Sequence, residues 1–140
     1  LIVHGPQCAL ITDFCLIKAA AGEKTRPCSV HCRKDAAFLR DELGQYYEIR
    51  GDDRCRNHVF LPQPLSLYNF LPILTKAQIN GLRIEGQYMS VHELDAVVNL
   101  YQEGLNQLAH GQWHKEPYER LLSLYPTGIT SGWFAGRNSL

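Results

Sequence analysis

All five cysteines of this 140-residue chain, Cys8, Cys15, Cys28, Cys32 and Cys55, fall within its first 55 residues. Such crowding commits that part of the chain to disulfides, buried thiols or metal ligation. An odd count leaves one thiol over from any complete disulfide framework, and a chain of this length folds without staples. The opening run Leu1-Ile2-Val3 is too short for a secretory signal and gives way at once to His4-Gly5-Pro6. The expected setting is a reducing, cytoplasmic one with the cysteines used as ligands.

From Cys8 to Cys32 the spacing is C-x6-C-x12-C-x3-C, and Cys55 follows 23 residues later. Four thiolates suit a [4Fe–4S] cluster or a tetrahedral zinc site, because both take soft sulfur donors. Zinc modules usually present two short knuckles, whereas only Cys28 and Cys32 form a close pair here. The spacing matches neither common ferredoxin pattern. On residue chemistry alone, a metal or cluster, unrelated buried thiols and disulfides all stay open. His31, inside the close pair, is a conceivable further ligand, and an exposed loop histidine explains it better.

Bulk composition excludes more than it assigns. With 45% hydrophobic residues and 14 basic against 14 acidic side chains, the chain is globular, neither disordered nor collagen-like. Zero net charge argues against gripping nucleic acid by bulk electrostatics. Nine basic residues lie between Lys18 and Arg56 beside seven acids, a surplus of only two. Tyr46 and Tyr47 there offer stacking surfaces for bases but equally suit a half-buried strand. Charges or prolines interrupt every apolar stretch before the roughly 18 residues a membrane span requires, so no span is expected.

Periodicity predicts an α/β chain, with a cysteine-bearing segment over 1–61 and an α/β portion over 62–140 in a single domain or domain fragment. Residues 1–3 read as a buried strand, 9–21 as a mixed pattern with a helical turn around Cys15, and 22–27 as a loop. Ala36, Leu39 and Leu43, spaced by three and four, predict a helix over 32–43. Residues 46–50 and 58–61 flank Gly51-Asp52-Asp53 as a hairpin. A helix is expected over 65–77, a short strand and turn over 82–86, and a helix from Val91 to Ala109 with Ser90 and Glu93 as a capping box. A last helix is expected over 117–125, with Pro117 in its first turn. Glu85, at the end of a short strand, is a candidate catalytic carboxylate, since α/β barrels place chemistry at strand C-terminal ends; a solvent-facing turn residue is the equal alternative. Arg83 is expected to point outwards, Trp133 and Phe134 to anchor a core or interface, and His92 and His114 carry no assignment.

Four ordered blocks bear a family resemblance. His4-Gly5-Pro6-Gln7-Cys8, with Cys15-Leu16-Ile17 six residues on, resembles the signature of the peptidase U32 family. Arg26-Pro27-Cys28-Ser29-Val30-His31-Cys32-Arg33 resembles its Cys-x3-Cys-Arg block. Leu82-Arg83-Ile84-Glu85-Gly86-Gln87 with Ser90 resembles its "KIEGR…S" strand and helix start, and Thr130-Ser131-Gly132-Trp133-Phe134-Ala135-Gly136 its "TTGFYFG" stretch. Asp13 stands where the family usually has glycine, Lys18 where it commonly has serine, and Ser66 where many members have another cysteine. The C-x12-C-x3-C spacing is similar to the ubiquinone-biosynthesis branch, while the Cys8 to Cys15 spacing is similar to the others.

The resemblance implies an iron–sulfur protein in which Cys8, Cys15, Cys28 and Cys32 ligate a [4Fe–4S] cluster and Cys55, outside the matched blocks, is spare. It also implies a barrel-like, TIM-type α/β fold of which this chain is the C-terminal part, completed by an N-terminal part or by a partner chain. Branches of the family carry out oxygen-independent hydroxylation of ubiquinone precursors or of tRNA and rRNA bases, so an RNA or a small molecule is the expected substrate. A non-catalytic accessory module with a structural cluster is the alternative. A U32-type peptidase, the family's historical label, is the third reading, although the chain has no HExxH or GxSxG motif.

Overall fold

The computed structural model describes residues 1–22, 32 and 36–135. In chain order its elements are β1 (Ile2–Gly5), β2 (Cys8–Thr12), α1 (Leu16–Ala20), β3 (Ala37–Arg40), β4 (Tyr46–Gly51), β5 (Asn57–Phe60), β6 (Leu65–Ser66), α2 (Leu71–Lys76), β7 (Arg83–Ile84), α3 (Val91–Ala109) and α4 (Glu116–Ser123). A 3-10 turn at Tyr68–Phe70 precedes α2. The chain is therefore mixed α/β, and it divides into two units, Leu1–Pro6 with Gln63–Leu140, and Gln7–Pro62.

In the first unit the apolar start of the chain becomes the central strand of a three-stranded sheet ordered β6-β1-β7. β1 runs parallel to β7, with His4 opposite Ile84, and antiparallel to β6, with His4 opposite Ser66. Thr130 extends the sheet beyond β6 through a parallel bridge to Leu65. The sheet does not close into a barrel among the described residues. Val3 is wholly buried against Leu67, Leu71, Val97, Tyr101 and Leu121, brought in by the 3-10 turn and the three helices. α3 starts where expected: Ser90 Oγ accepts the Glu93 backbone N–H at 3.1 Å, satisfying one of the orphan donors of the first turn. α4 begins at Glu116 with Pro117 in its first turn and stops at Ser123, so Tyr125 lies in the following turn. The helix expected over 65–77 shrinks to Leu71–Lys76, because Leu65 and Ser66 pair with β1 instead. Trp133 is 81% exposed and anchors no core, while Phe134 meets the edge of Phe70 at 4.9 Å.

The second unit is a four-stranded antiparallel sheet ordered β2-β5-β4-β3. The expected hairpin forms β4 and β5, with Ile49 opposite Val59 and Gly51 opposite Asn57. The helix expected over 32–43 is overturned: Ala37–Arg40 is β3, paired with Tyr46 to Ile49. Three apolar positions at helical spacing are weak against a turn that folds the chain back. Gly44 supplies φ +81, and Asp41 Oδ1 accepts the Gln45 N–H at 2.8 Å, setting Arg40 opposite Tyr46. β2, within the mixed pattern of residues 9–21, is an edge strand, and the helical turn expected at Cys15 is α1. Most of the 22–27 loop, Cys28 and His31 lie outside the described residues.

Candidate functional site

The cysteine segment is built on the β4–β5 hairpin. Asp52 organises its turn: Oδ1 accepts the backbone N–H groups of Arg54 and Arg56, each at 2.9 Å, and Oδ2 meets the Arg56 guanidinium at 2.7 Å and His58 Nε2 at 3.1 Å. Burial works to raise the Asp52 pKa, but these donors outweigh it and hold the carboxyl well below the usual range. Cys55 sits exposed in this turn in the left-handed region, with φ +62.

The hairpin end beside this turn carries the contacts of Cys15 and Cys32. Asn57, 1% exposed, turns its Oδ1 to accept the Leu16 backbone N–H at 2.7 Å. This bond pins the residue that follows Cys15. Cys15 itself caps α1, its Sγ accepting the Lys18 N–H at 3.4 Å. Across the pair from Asn57, a Cβ placed on Gly51 would stand 3.2 Å from both Cβ and Sγ of Cys32. Cys8 lies at the opposite end of β2, facing Phe60, about 13 Å along the strand from Thr12 at four residues of rise. Its exposed thiol donates to the Leu10 carbonyl at 3.4 Å. Cys8, Cys15, Cys32 and Cys55 are all free thiols. Among the described residues, no three His, Cys, Asp or Glu side chains are gathered as metal ligands.

The first unit places chemistry at the C-terminal ends of its two parallel strands. Glu85 follows β7, donates its backbone N–H to the His4 carbonyl at 2.9 Å, and takes the Arg83 Nε at 2.7 Å on its carboxylate. Its side chain is 16% exposed against 70% for Arg83, so Arg83 points outwards as expected and reaches back along the strand. Gly5 has φ +133, and a Cβ there would strike the Glu85 carbonyl oxygen at 2.6 Å, so only glycine lets Glu85 seat against β1.

Beside Glu85 lies a buried polar cluster absent from the sequence reading. His4 is completely buried, and its Nε2 is 2.9 Å from the Tyr125 hydroxyl. Tyr101 donates its proton to the Val3 carbonyl at 2.8 Å, and its oxygen lies 3.4 Å from His4 Nδ1. Ser66 Oγ completes the group, 3.2 Å from the Tyr101 oxygen. Burial lowers the His4 pKa to about 4, so the imidazole is neutral across the physiological range. Burial also raises Tyr101 and Tyr125, the latter further through the Glu93 carboxylate. The only hint of this in the sequence is a histidine ending an apolar strand, with tyrosines far away along the chain.

No helix among the described residues is long and apolar enough to cross a membrane. A family model, Peptidase family U32, matches the chain over residues 1–140. No curated protein and no solved structure matches it.

Proposed function

Because the chain belongs to peptidase family U32, we propose that it is an iron–sulfur protein in which Cys8, Cys15, Cys28 and Cys32 hold a [4Fe–4S] cluster. In this reading it forms part of an oxygen-independent hydroxylase acting on RNA bases or a quinone precursor. One observation carries the ligand reading: the described thiols are unpaired, and none belongs to the apolar core. Disulfides and buried inert thiols, the other uses open to these cysteines, thereby lose support. The donor set fits in kind, since four thiolates are what such a cluster takes, and Gly51 leaves room for the side chain of Cys32, while Cys8 stands at the other end of β2 and has to be brought to them.

A cluster on these thiolates supplies one-electron transfer or an iron site for substrate. The chain's own residues do the rest. Glu85, held by Arg83, is the carboxylate offered for hydrogen bonding or proton acceptance at the β1 and β7 strand ends. Among the described residues β7 has a neighbour on one side only, which suits a barrel-like fold whose further strands come from a longer polypeptide or a partner chain. The accessory-module reading has its own observation: His4 has both ring nitrogens engaged and Glu85 is bound to Arg83, so neither is idle.

Anaerobic purification tests the cluster. The expected result is a brown protein absorbing broadly near about 400 nm, with roughly four iron atoms per chain and matching labile sulfide. Serine at Cys8, Cys15, Cys28 or Cys32 should lose the iron, while Cys55→Ser keeps it. Stoichiometric zinc without iron or sulfide would overturn the cluster. Hydroxylation of RNA or a quinone precursor by the loaded protein, alone or with its partner, separates enzyme from accessory module; none in either setting overturns the hydroxylase reading.

A further inference from the structure

The β4–β5 hairpin carries two non-cysteine residues whose placement is explained by the cysteines beside them. Asn57 is a carboxamide in a strand, 1% exposed, and a buried polar group of this kind is costly unless bonded. Its oxygen accepts from the backbone N–H of Leu16, 41 residues earlier, directly after Cys15. Its register partner Gly51 stands in a strand, where glycine is unfavourable. Gly51 is not among the residues with positive φ, so turn geometry does not demand it. What a side chain there would meet is Cys32, at 3.2 Å from Cβ and 3.2 Å from Sγ, with Asn57 Nδ2 at 3.9 Å from the same point. Adjacent residues on two strands thus serve two cysteines 17 positions apart in sequence, one through a backbone anchor and one through an absent side chain.

We propose that Asn57 and Gly51 are positioning residues that bring Cys15 and Cys32 to the same end of the hairpin as a thiolate pair for a soft metal. Neither touches the metal. Asn57 fixes the corner at which Cys15 begins α1, and Gly51 provides the space into which Cys32 fits. This rests on the thiolate-ligand reading above, but not on iron being the metal. Second-sphere partners of this kind typically change metal affinity by about 10- to 100-fold when removed.

The test is titration of the full-length, reduced, metal-free chain with cadmium(II), followed by the ultraviolet thiolate-to-cadmium charge-transfer band. Asn57→Ala and Gly51→Ala should each weaken binding by about tenfold or more, and Asn57→Asp, which keeps an acceptor for the Leu16 N–H, should recover most of it. Circular dichroism and thermal melting identify any variant that has lost its fold. Gly51→Ala adds one methyl at an exposed position and serves as the arm that decides if Asn57→Ala unfolds. Cycles of Asn57→Ala with Cys15→Ser, and of Gly51→Ala with Cys32→Ser, should be strongly non-additive if each residue acts through its cysteine. Unchanged cadmium affinity in folded Asn57→Ala and Gly51→Ala, or additive cycles, would overturn the proposal. No thiolate band in the parent chain would instead overturn the ligand reading on which it rests.

Discussion

His4 shows how much a single buried residue can dictate. Its folded pKa of about 4 lies below the ordinary histidine value of 6.5, so the unfolded chain binds more protons between those values. Stability should therefore be complete above about pH 6.5 and fall as pH drops through that window, by up to about 3 kcal/mol, levelling off near pH 4. Denaturant unfolding at a series of pH values measures this, and His4→Gln should flatten the slope in that window. A parent slope no steeper than that of His4→Gln would mean the imidazole is not held neutral. Tyr68 offers a second residue-scale test. It is fully buried, stacked on Trp113 and Tyr118, and its hydroxyl has no hydrogen-bond partner among the described residues. Gly104, in mid-helix, makes room for that hydroxyl, since a Cβ there would lie 2.6 Å from it. Tyr68→Phe removes a buried unpaired group and should leave stability equal or raise it by about 1 kcal/mol. Gly104→Ala should destabilise by about 1–3 kcal/mol despite the better helix former, and Tyr68→Phe in the same chain should restore part of that loss.

At the scale of elements, the legible parts were those whose signals are local. Ser90 followed by a periodic apolar run marks α3, and Ser90→Ala should cost about 1 kcal/mol in denaturant unfolding; no measurable change would show that the Ser90–Glu93 bond is not stabilising. The Gly-Asp-Asp turn marks the hairpin, and its strands pair as the alternation implies. β3 is not legible in sequence because Ala36, Leu39 and Leu43 sample too few turns to distinguish a helix from a strand, and the Asp41–Gly44 turn with the pairing to β4 decides for the strand. β2 leaves no clear signal because an edge strand exposed along nearly its whole length carries little apolar alternation. At the candidate sites, the cysteines, Glu85 and Arg83 could be named from sequence, since their residue types announce their chemistry. Asn57, Gly51 and the His4–Tyr101–Tyr125 cluster could not, because each matters only through a partner tens of residues away. Glycine and asparagine in a strand read as weakness until the neighbour that needs them is known.

At the scale of the whole molecule, the two units differ in what holds them together. Among the described residues, twelve hydrophobic side chains are buried, and nine form the cluster of the first unit around Val3, Leu71 and Tyr101. Among its described residues the second unit contributes Ile49, Val59 and Phe60. Its ends are drawn together where the Leu61 N–H meets the Gln7 carbonyl at 2.9 Å, yet so small an apolar core gives it little independent stability. Ligand binding restricted to the folded state adds free energy to that state, about 2.7 kcal/mol at a hundredfold excess over the dissociation constant, so thiolate ligation would matter most in this unit. Native-state hydrogen exchange of the metal-free chain should accordingly show β4 and β5 amides opening at lower free energy than those of α3 and β1. Loading the thiolates should raise protection in β4 and β5 and leave α3 nearly unchanged. Equal protection across both units without metal, or a rise in α3 as large as in the hairpin, would mean that the chain unfolds as one cooperative body. The cysteines would then be ligands that the fold carries without needing them.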